Sequence, residues 1–258
     1  MASKGQNVWY DLMTTNVEGA TAFYTETIGW KTQVWKDGDP NKPYTMWKAG
    51  ESPLGGVMAL ADEAKAMGAP PHWIAYTVVD DVDASAQTAE KLGGKVYASP
   101  MDIPEVGRFA ILADPQGATF AIFKPAGEMN APPDAPGQFS WAELNTTDYE
   151  AAWKFYSELF GWQHRSSMEM GPSGTYFMFN DPSEKTKGGM SNMAKQMNAP
   201  AHWLHYVTVD DMDGTVERIK KHGGKILNGP MDIPGDDKIA QCQDPQGAFF
   251  AVFAHGKK

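Results

Sequence analysis

The sequence predicts an α+β protein made of two tandem domains, each built from two βαβββ modules whose curved sheet forms a cup. Three observations carry that prediction. The chain is written twice, each copy runs twice through one order of strand-like and helix-like segments, and each copy contains the turn DPQGA, at Asp114 and again at Asp244. A length of 258 residues suits two cores of about 125 residues each.

The repeat is long and collinear. VWYDLMTTNVEGATAFYTETIGW, from Val8, lies over SWAELNTTDYEAAWKFYSELFGW, from Ser140. A shift of 132 positions carries Trp9 onto Trp141, Leu12 onto Leu144, Tyr24 onto Tyr156 and Trp30 onto Trp162. A shift of 130 carries His72-Trp73 onto His202-Trp203 and the PMDIP at Pro100 onto the PMDIP at Pro230. The domains are therefore expected at 6–125 and 138–255. The stretch 126–137, AGEMNAPPDAPG, is rich in Pro, Gly and Ala with little to bury, and reads as a linker.

Within the first copy the elements follow in order. VWYDLM, from Val8, is strand-like. A helix follows, with Thr15 or Asn16 as N-cap, an apolar face of Ala20, Phe23 and Tyr24, and Gly29 as its stop. TQVW from Thr32, YTMWKA from Tyr44 and LGGVMAL from Leu54 are strand-like. The cycle then restarts with the strand HWIAYTVV from His72 and a helix capped by Asp80 or Asp81 and stopped at Gly93-Gly94. KVYA from Lys95, RFAILA from Arg108 and TFAIF from Thr119 complete it. DPQG makes the last two strands a hairpin, with Pro and Gly where a tight turn needs them.

Bulk properties narrow the function. A net charge of −10 argues against non-specific binding to nucleic acid or an anionic membrane surface. The single Cys242 excludes an intrachain disulfide and a CxxC zinc site, and points to a reducing compartment. No secretory signal or membrane span is read, so a cytoplasmic protein is expected.

Two βαβββ modules per domain, with AFYTETIGW and WKFYSELFGW, VDDVDA and VDDMDG, EKLGGK and KKHGGK, and the paired DPQGA turns, resemble the vicinal oxygen chelate superfamily. That superfamily includes glyoxalase I, extradiol dioxygenases and the bleomycin- and fosfomycin-resistance proteins. The resemblance covers nearly the whole chain. It implies a cup in each domain that holds a small molecule, often on a divalent metal. The family's metal ligands, two His and a Glu, fall by position on Trp9, Ile74 and Ala121, and in the second copy on Trp141, Leu204 and Ala251. Indole, alkyl and methyl groups do not coordinate a divalent cation, so no cofactor is expected at the inherited positions. A relocated divalent metal site stays open as an alternative.

Strand side chains alternate faces. Residues sharing parity with the ligand positions should line the cups: Trp9 and Asp11, His72 and Tyr76, Ala121 and Phe123, and in the repeat Trp141 and Glu143, His202 and Tyr206, Ala251 and Phe253. Two readings of His72 with Asp11, and of His202 with Glu143, stand side by side. One is a proton-moving acid/base pair, the other a structural hydrogen bond. Trp73 and Trp203 have the opposite parity and should pack under a helix, His205 reads as structural, and Cys242 as a buried inert thiol. The glycine pairs Gly55-Gly56 and Gly188-Gly189 mark a bend or a close approach.

The expected function is binding of a small organic molecule without the family's metal. The alternative is a glyoxalase-like lyase, isomerase or oxygenase using a His–carboxylate pair or a relocated metal. A monomer with paired domains and a homodimer both satisfy the pattern.

Overall fold

The computed structural model describes residues 1–35, 44–133, 135–181, 184 and 186–256; of the expected linker, Asp134 lies outside them. The first repeat comprises β1 (Asn7–Thr14), α1 (Val17–Ile28), β2 (Lys31–Val34), β3 (Thr45–Ala49), β4 (Ser52–Ala59), α2 (Asp62–Ala66), β5 (His72–Val78), α3 (Val82–Lys91), β6 (Lys95–Ile103), β7 (Gly107–Ala113) and β8 (Thr119–Pro125). The second comprises β9 (Phe139–Asn145), α4 (Tyr149–Phe160), β10 (Gln163–Glu169), β11 (Thr175–Asn180), β12 (Thr186–Ser191), α5 (Met193–Met197), β13 (His202–Thr208), α6 (Met212–Lys221), β14 (Lys225–Ile233), β15 (Asp237–Gln243) and β16 (Phe249–Ala254). Two eight-stranded sheets result, ordered β2-β3-β4-β1-β5-β8-β7-β6 and β10-β11-β12-β9-β13-β16-β15-β14. The expected α+β repeat of βαβββ modules is the architecture found.

Local chemistry explains the boundaries. Asn16 begins α1, its side chain accepting from Gly19 N at 2.9 Å, and Asp148 begins α4 by accepting from Ala151 N at 3.0 Å. Asp81, rather than Asp80, caps α3 through Ala84 N at 2.9 Å. Gly29 and Gly161 end their helices at φ 85 and 73, in the left-handed region where only glycine is unstrained. The DPQG turns close as expected. Asp114 N donates to Ala118 O, and its side chain accepts from Gln116 N and Ala118 N. The short helices α2 and α5 have no counterpart in the sequence pattern, because five residues are too few to show a helical period.

Contacts divide the chain into two compact units that each combine half of one repeat with half of the other. The first holds Met1–Trp9, Ile74–Pro132 and Trp141–Leu204. Its core gathers Val82, Ala86 and Ala89 of α3, Ala152, Phe155 and Tyr156 of α4, and Phe120 and Ile122 of β8. Trp162 stacks on Phe179 with ring centroids 4.2 Å apart, and its indole N–H donates to Gly5 O at 2.8 Å. The second unit holds Tyr10–Trp73, Pro133–Ser140 and His205–Lys258. There Tyr24, Trp30, Trp47 and Trp73 form one aromatic cluster, and Trp30 donates to Gly137 O at 2.7 Å. Each such side chain, fully buried, contributes about 1.5–3 kcal/mol. Among the described residues, no helix is long and apolar enough to cross a membrane.

Candidate functional site

The carboxylates on the first strand of each repeat anchor the site. β1 runs parallel to β4 with Asp11 opposite Gly56, and β9 runs parallel to β12 with Glu143 opposite Gly189. Each glycine makes room for a tyrosine: a Cβ on Gly56 would run into the Tyr44 ring, and one on Gly189 into the Tyr176 ring. Laid across that gap, Tyr44 donates its hydroxyl to Asp11 Oδ1 at 2.5 Å. In the second copy Tyr176 donates to Glu143 Oε2 at 3.2 Å and accepts from Trp141 Nε1 at 2.9 Å. Asn145 Nδ2 donates to Glu143 Oε1 at 3.2 Å. Asp11 is 3% exposed, a burial that a carboxylate tolerates only when hydrogen-bonded.

The sequence did not single out Tyr44 and Tyr176. Their signal is a tyrosine upstream of a glycine pair in both copies, YTMWKAGESPLGG and YFMFNDPSEKTKGG. The glycine pairs were expected to mark a close approach, and the structure shows one.

His72 and His202 stand at the starts of β5 and β13. His72 Nδ1 lies 2.8 Å from Pro70 O, and His202 Nδ1 lies 2.9 Å from Pro200 O. A carbonyl only accepts, so Nδ1 carries a proton in both rings. Burial holds His72 below the ordinary histidine range, partly offset by the carbonyl. The hydrogen bond considered between His72 and Asp11 is not formed: the imidazole turns to Pro70, and the carboxylate receives Tyr44. Glu143 is engaged by Tyr176 and Asn145.

The positions that the resemblance assigns to metal ligands hold a half-buried Trp9, Ile74 at 1% exposure and Ala121 at 0%, and in the second copy Trp141, Leu204 at 5% and Ala251 at 0%. None of these side chains fits a divalent cation. Among the described residues no group of three or more His, Cys, Asp or Glu is arranged to hold one. Ala121 pairs with Tyr76, whose ring lies 5.9 Å from Phe109 and 6.4 Å from Phe123. Ala251 pairs with Tyr206, whose hydroxyl accepts from Gln241 Nε2 at 3.3 Å, while Phe253 meets His255 edge-on.

The opposite side of the sheets is built for packing, as the parity of Trp73 and Trp203 predicted. Trp73 Nε1 donates to the Tyr24 hydroxyl at 2.9 Å, and Tyr24 donates to Asp244 Oδ2 at 3.2 Å. Trp203 donates to Tyr156 at 3.0 Å and Tyr156 to Asp114 Oδ2 at 3.0 Å. Each helix tyrosine thus meets the turn aspartate of the other repeat. Burial and the adjacent carboxylate push both tyrosines well above their ordinary range, so they remain donors. Burial raises Asp114 and Asp244 as well, against the backbone N–H bonds they accept. His205, wholly buried with its ring 5.3 Å from that of Tyr10, is pushed down to about 3 by burial. Burial likewise pushes Cys242 up to about 12, an unreactive thiol. Arg108 is bound on the surface by Asp83 and Asp102.

Known proteins are similar to this chain in sequence and fold. The chain is 31% identical over 250 residues to CFP32 of Mycobacterium bovis, which carries a provisional glyoxylase name, covering 96% of this chain and 94% of that one. It is 30% identical over 260 residues to the anthracycline biosynthesis protein DnrV of Streptomyces peucetius, covering 96% and 92%. Its fold is similar, with a TM-score of 0.66 and 15% identity, to the Mn(II)-bound glyoxalase from Novosphingobium aromaticivorans, covering 100% of this chain and 84% of that one. The glyoxalase/bleomycin resistance protein/dioxygenase superfamily model matches residues 7–122 and again 138–252, and the chain belongs to that superfamily.

Proposed function

We propose that the protein binds small organic molecules against the open faces of its sheets, without the divalent metal implied by the resemblance. One observation carries this reading: the ligand positions hold Trp9, Ile74, Ala121, Trp141, Leu204 and Ala251, none of which coordinates a cation. The carboxylate–phenol pairs Asp11–Tyr44 and Glu143–Tyr176 add a small number of polar groups to otherwise apolar and aromatic surfaces, as ligand sites require. The name of DnrV adds a ligand class. Anthracyclines are fused aromatic rings bearing oxygens, a shape that suits a face with Trp141 and Tyr176. A monomer or homodimer, free of nucleic acid and membrane, in a reducing cytoplasm, completes the proposal.

A second reading has its own observation. In both copies a histidine at the head of the same strand directs its Nδ1 to a proline carbonyl two residues before it. Under that reading the protein is a lyase or isomerase in which His72 or His202 moves a proton on the bound molecule.

A thermal-shift panel of aromatic hydroxy-ketones, with and without EDTA, tests the first reading. A ligand at one hundred times its dissociation constant adds about 2.7 kcal/mol, a rise of roughly 5–10 °C. The expected shift is unchanged by EDTA; its loss with EDTA contradicts metal-free binding. Turnover abolished by His72→Ala or His202→Ala, with binding intact, favours the second reading.

A further inference from the structure

The open faces of the two repeats differ at matched positions. In the first, Asp11 pairs with Gly56 and Met13 with Met58; in the second, Glu143 pairs with Gly189 and Asn145 with Ser191. Partners in adjacent strands share a face, as do residues two apart on one strand. Asp11, Met13 and Met58 therefore share the face on which Tyr44 lies over Gly56, and Glu143, Asn145 and Ser191 share the face on which Tyr176 lies over Gly189. Two thioethers in one copy stand where the other has an amide and a hydroxyl.

The amide and hydroxyl bring hydrogen-bonding groups to the second face. Ser191 is 2% exposed and Asn145 5%. Asn145 directs its Nδ2 to Glu143 Oε1 on the same face. Glu143 and Asn145 Oδ1 accept, and Ser191 Oγ–H donates. On the first face Asp11 accepts, and the neighbouring thioethers offer only soft apolar contact to an aromatic ring.

We infer that the two repeats carry non-equivalent sites: the Glu143–Asn145–Ser191 face selects an aromatic molecule bearing a donor and an acceptor side by side, as a carboxamide does, and the Asp11–Met13–Met58 face selects an aromatic molecule bearing a single donor. This rests on the small-molecule reading above.

Calorimetric titration of the full chain with 2-naphthamide and 2-naphthol tests it. The expected result is one preferred site for each probe. Asn145→Met with Ser191→Met weakens 2-naphthamide about tenfold and leaves 2-naphthol within roughly twofold. Ser191→Ala, which removes one hydroxyl at nearly constant volume, gives a smaller loss in the same direction and guards against misfolding of the double variant. Met13→Asn with Met58→Ser creates a second 2-naphthamide site. Equal binding of both probes at two equivalent sites, or 2-naphthamide binding untouched by the Asn145 and Ser191 variants, overturns the inference and leaves the small-molecule reading standing. Absence of binding by both probes overturns both.

Discussion

On the helix side of the sheets the two repeats nearly coincide: Trp73, Tyr24 and Asp244 form one buried chain of hydrogen bonds, and Trp203, Tyr156 and Asp114 form its equal. On the open side Trp9, His72, Tyr76 and Ala121 also repeat as Trp141, His202, Tyr206 and Ala251, but Met13 and Met58 in one repeat answer to Asn145 and Ser191 in the other. The difference separates two demands on one fold. A close-packed interior allows few exchanges of shape or hydrogen-bonding capacity, whereas a face that meets a ligand is free to change polarity without disturbing the core. The helix side also differs at several buried positions, and two of them make useful tests: His205 where the first copy has Ala75, and Trp47 where the second has Phe179.

The largest effect expected concerns His205. Burial depresses its folded pKa to about 3, below the unfolded value. The neutral ring's contribution is therefore fully present above about pH 6.5 and is lost as pH falls toward 3, a loss on the order of 4 kcal/mol. Asp114 and Asp244, raised by burial, slope the other way: their contribution is lost as pH rises through their folded values. Urea denaturation at descending pH should show His205→Phe less acid-sensitive than the parent; an identical pH profile contradicts the assignment.

Next come the networks themselves. Tyr24→Phe and Tyr156→Phe each strand a buried indole N–H and deprive an aspartate of a donor, so each should cost about 2–4 kcal/mol in chemical denaturation. A large loss from one and none from the other would break the equivalence of the helix sides. Gly56→Ala or Gly189→Ala drives a methyl into the tyrosine ring and should displace it from its carboxylate, at about 1–3 kcal/mol. Tyrosine absorbance and stability together read that displacement. The smallest effect belongs to Trp47→Phe. The buried Trp47 Nε1 has no hydrogen-bond partner among the described residues, so removing it offsets the lost volume and leaves stability within about 1 kcal/mol.

Much of the fold was legible because its causes are local or repeated. Asn16, Asp81, Gly29 and the DPQG turns act within a few residues, and the shift that carries Trp9 onto Trp141 sets the second copy from the first. The parity that put Trp73 beneath a helix follows from strand geometry alone. Less of the candidate site was legible. Tyr44 reaches Asp11 across 33 residues through the register of β3 on β4 on β1, which no period reveals. Tyr24 meets Asp244 rather than its own repeat's Asp114, across 220 residues, because packing combines halves of different repeats. The His72–Asp11 bond considered from shared parity gave way to a nearer carbonyl for one partner and a phenol for the other.

The central claim is that this superfamily member binds without the inherited metal. Its most direct test is metal analysis of untagged protein, incubated with excess Mn(II), Fe(II) or Zn(II) and then desalted. The account predicts substoichiometric metal for every ion, unchanged in His72→Ala and His202→Ala. About one divalent ion retained per repeat, and lost in those variants, would contradict it.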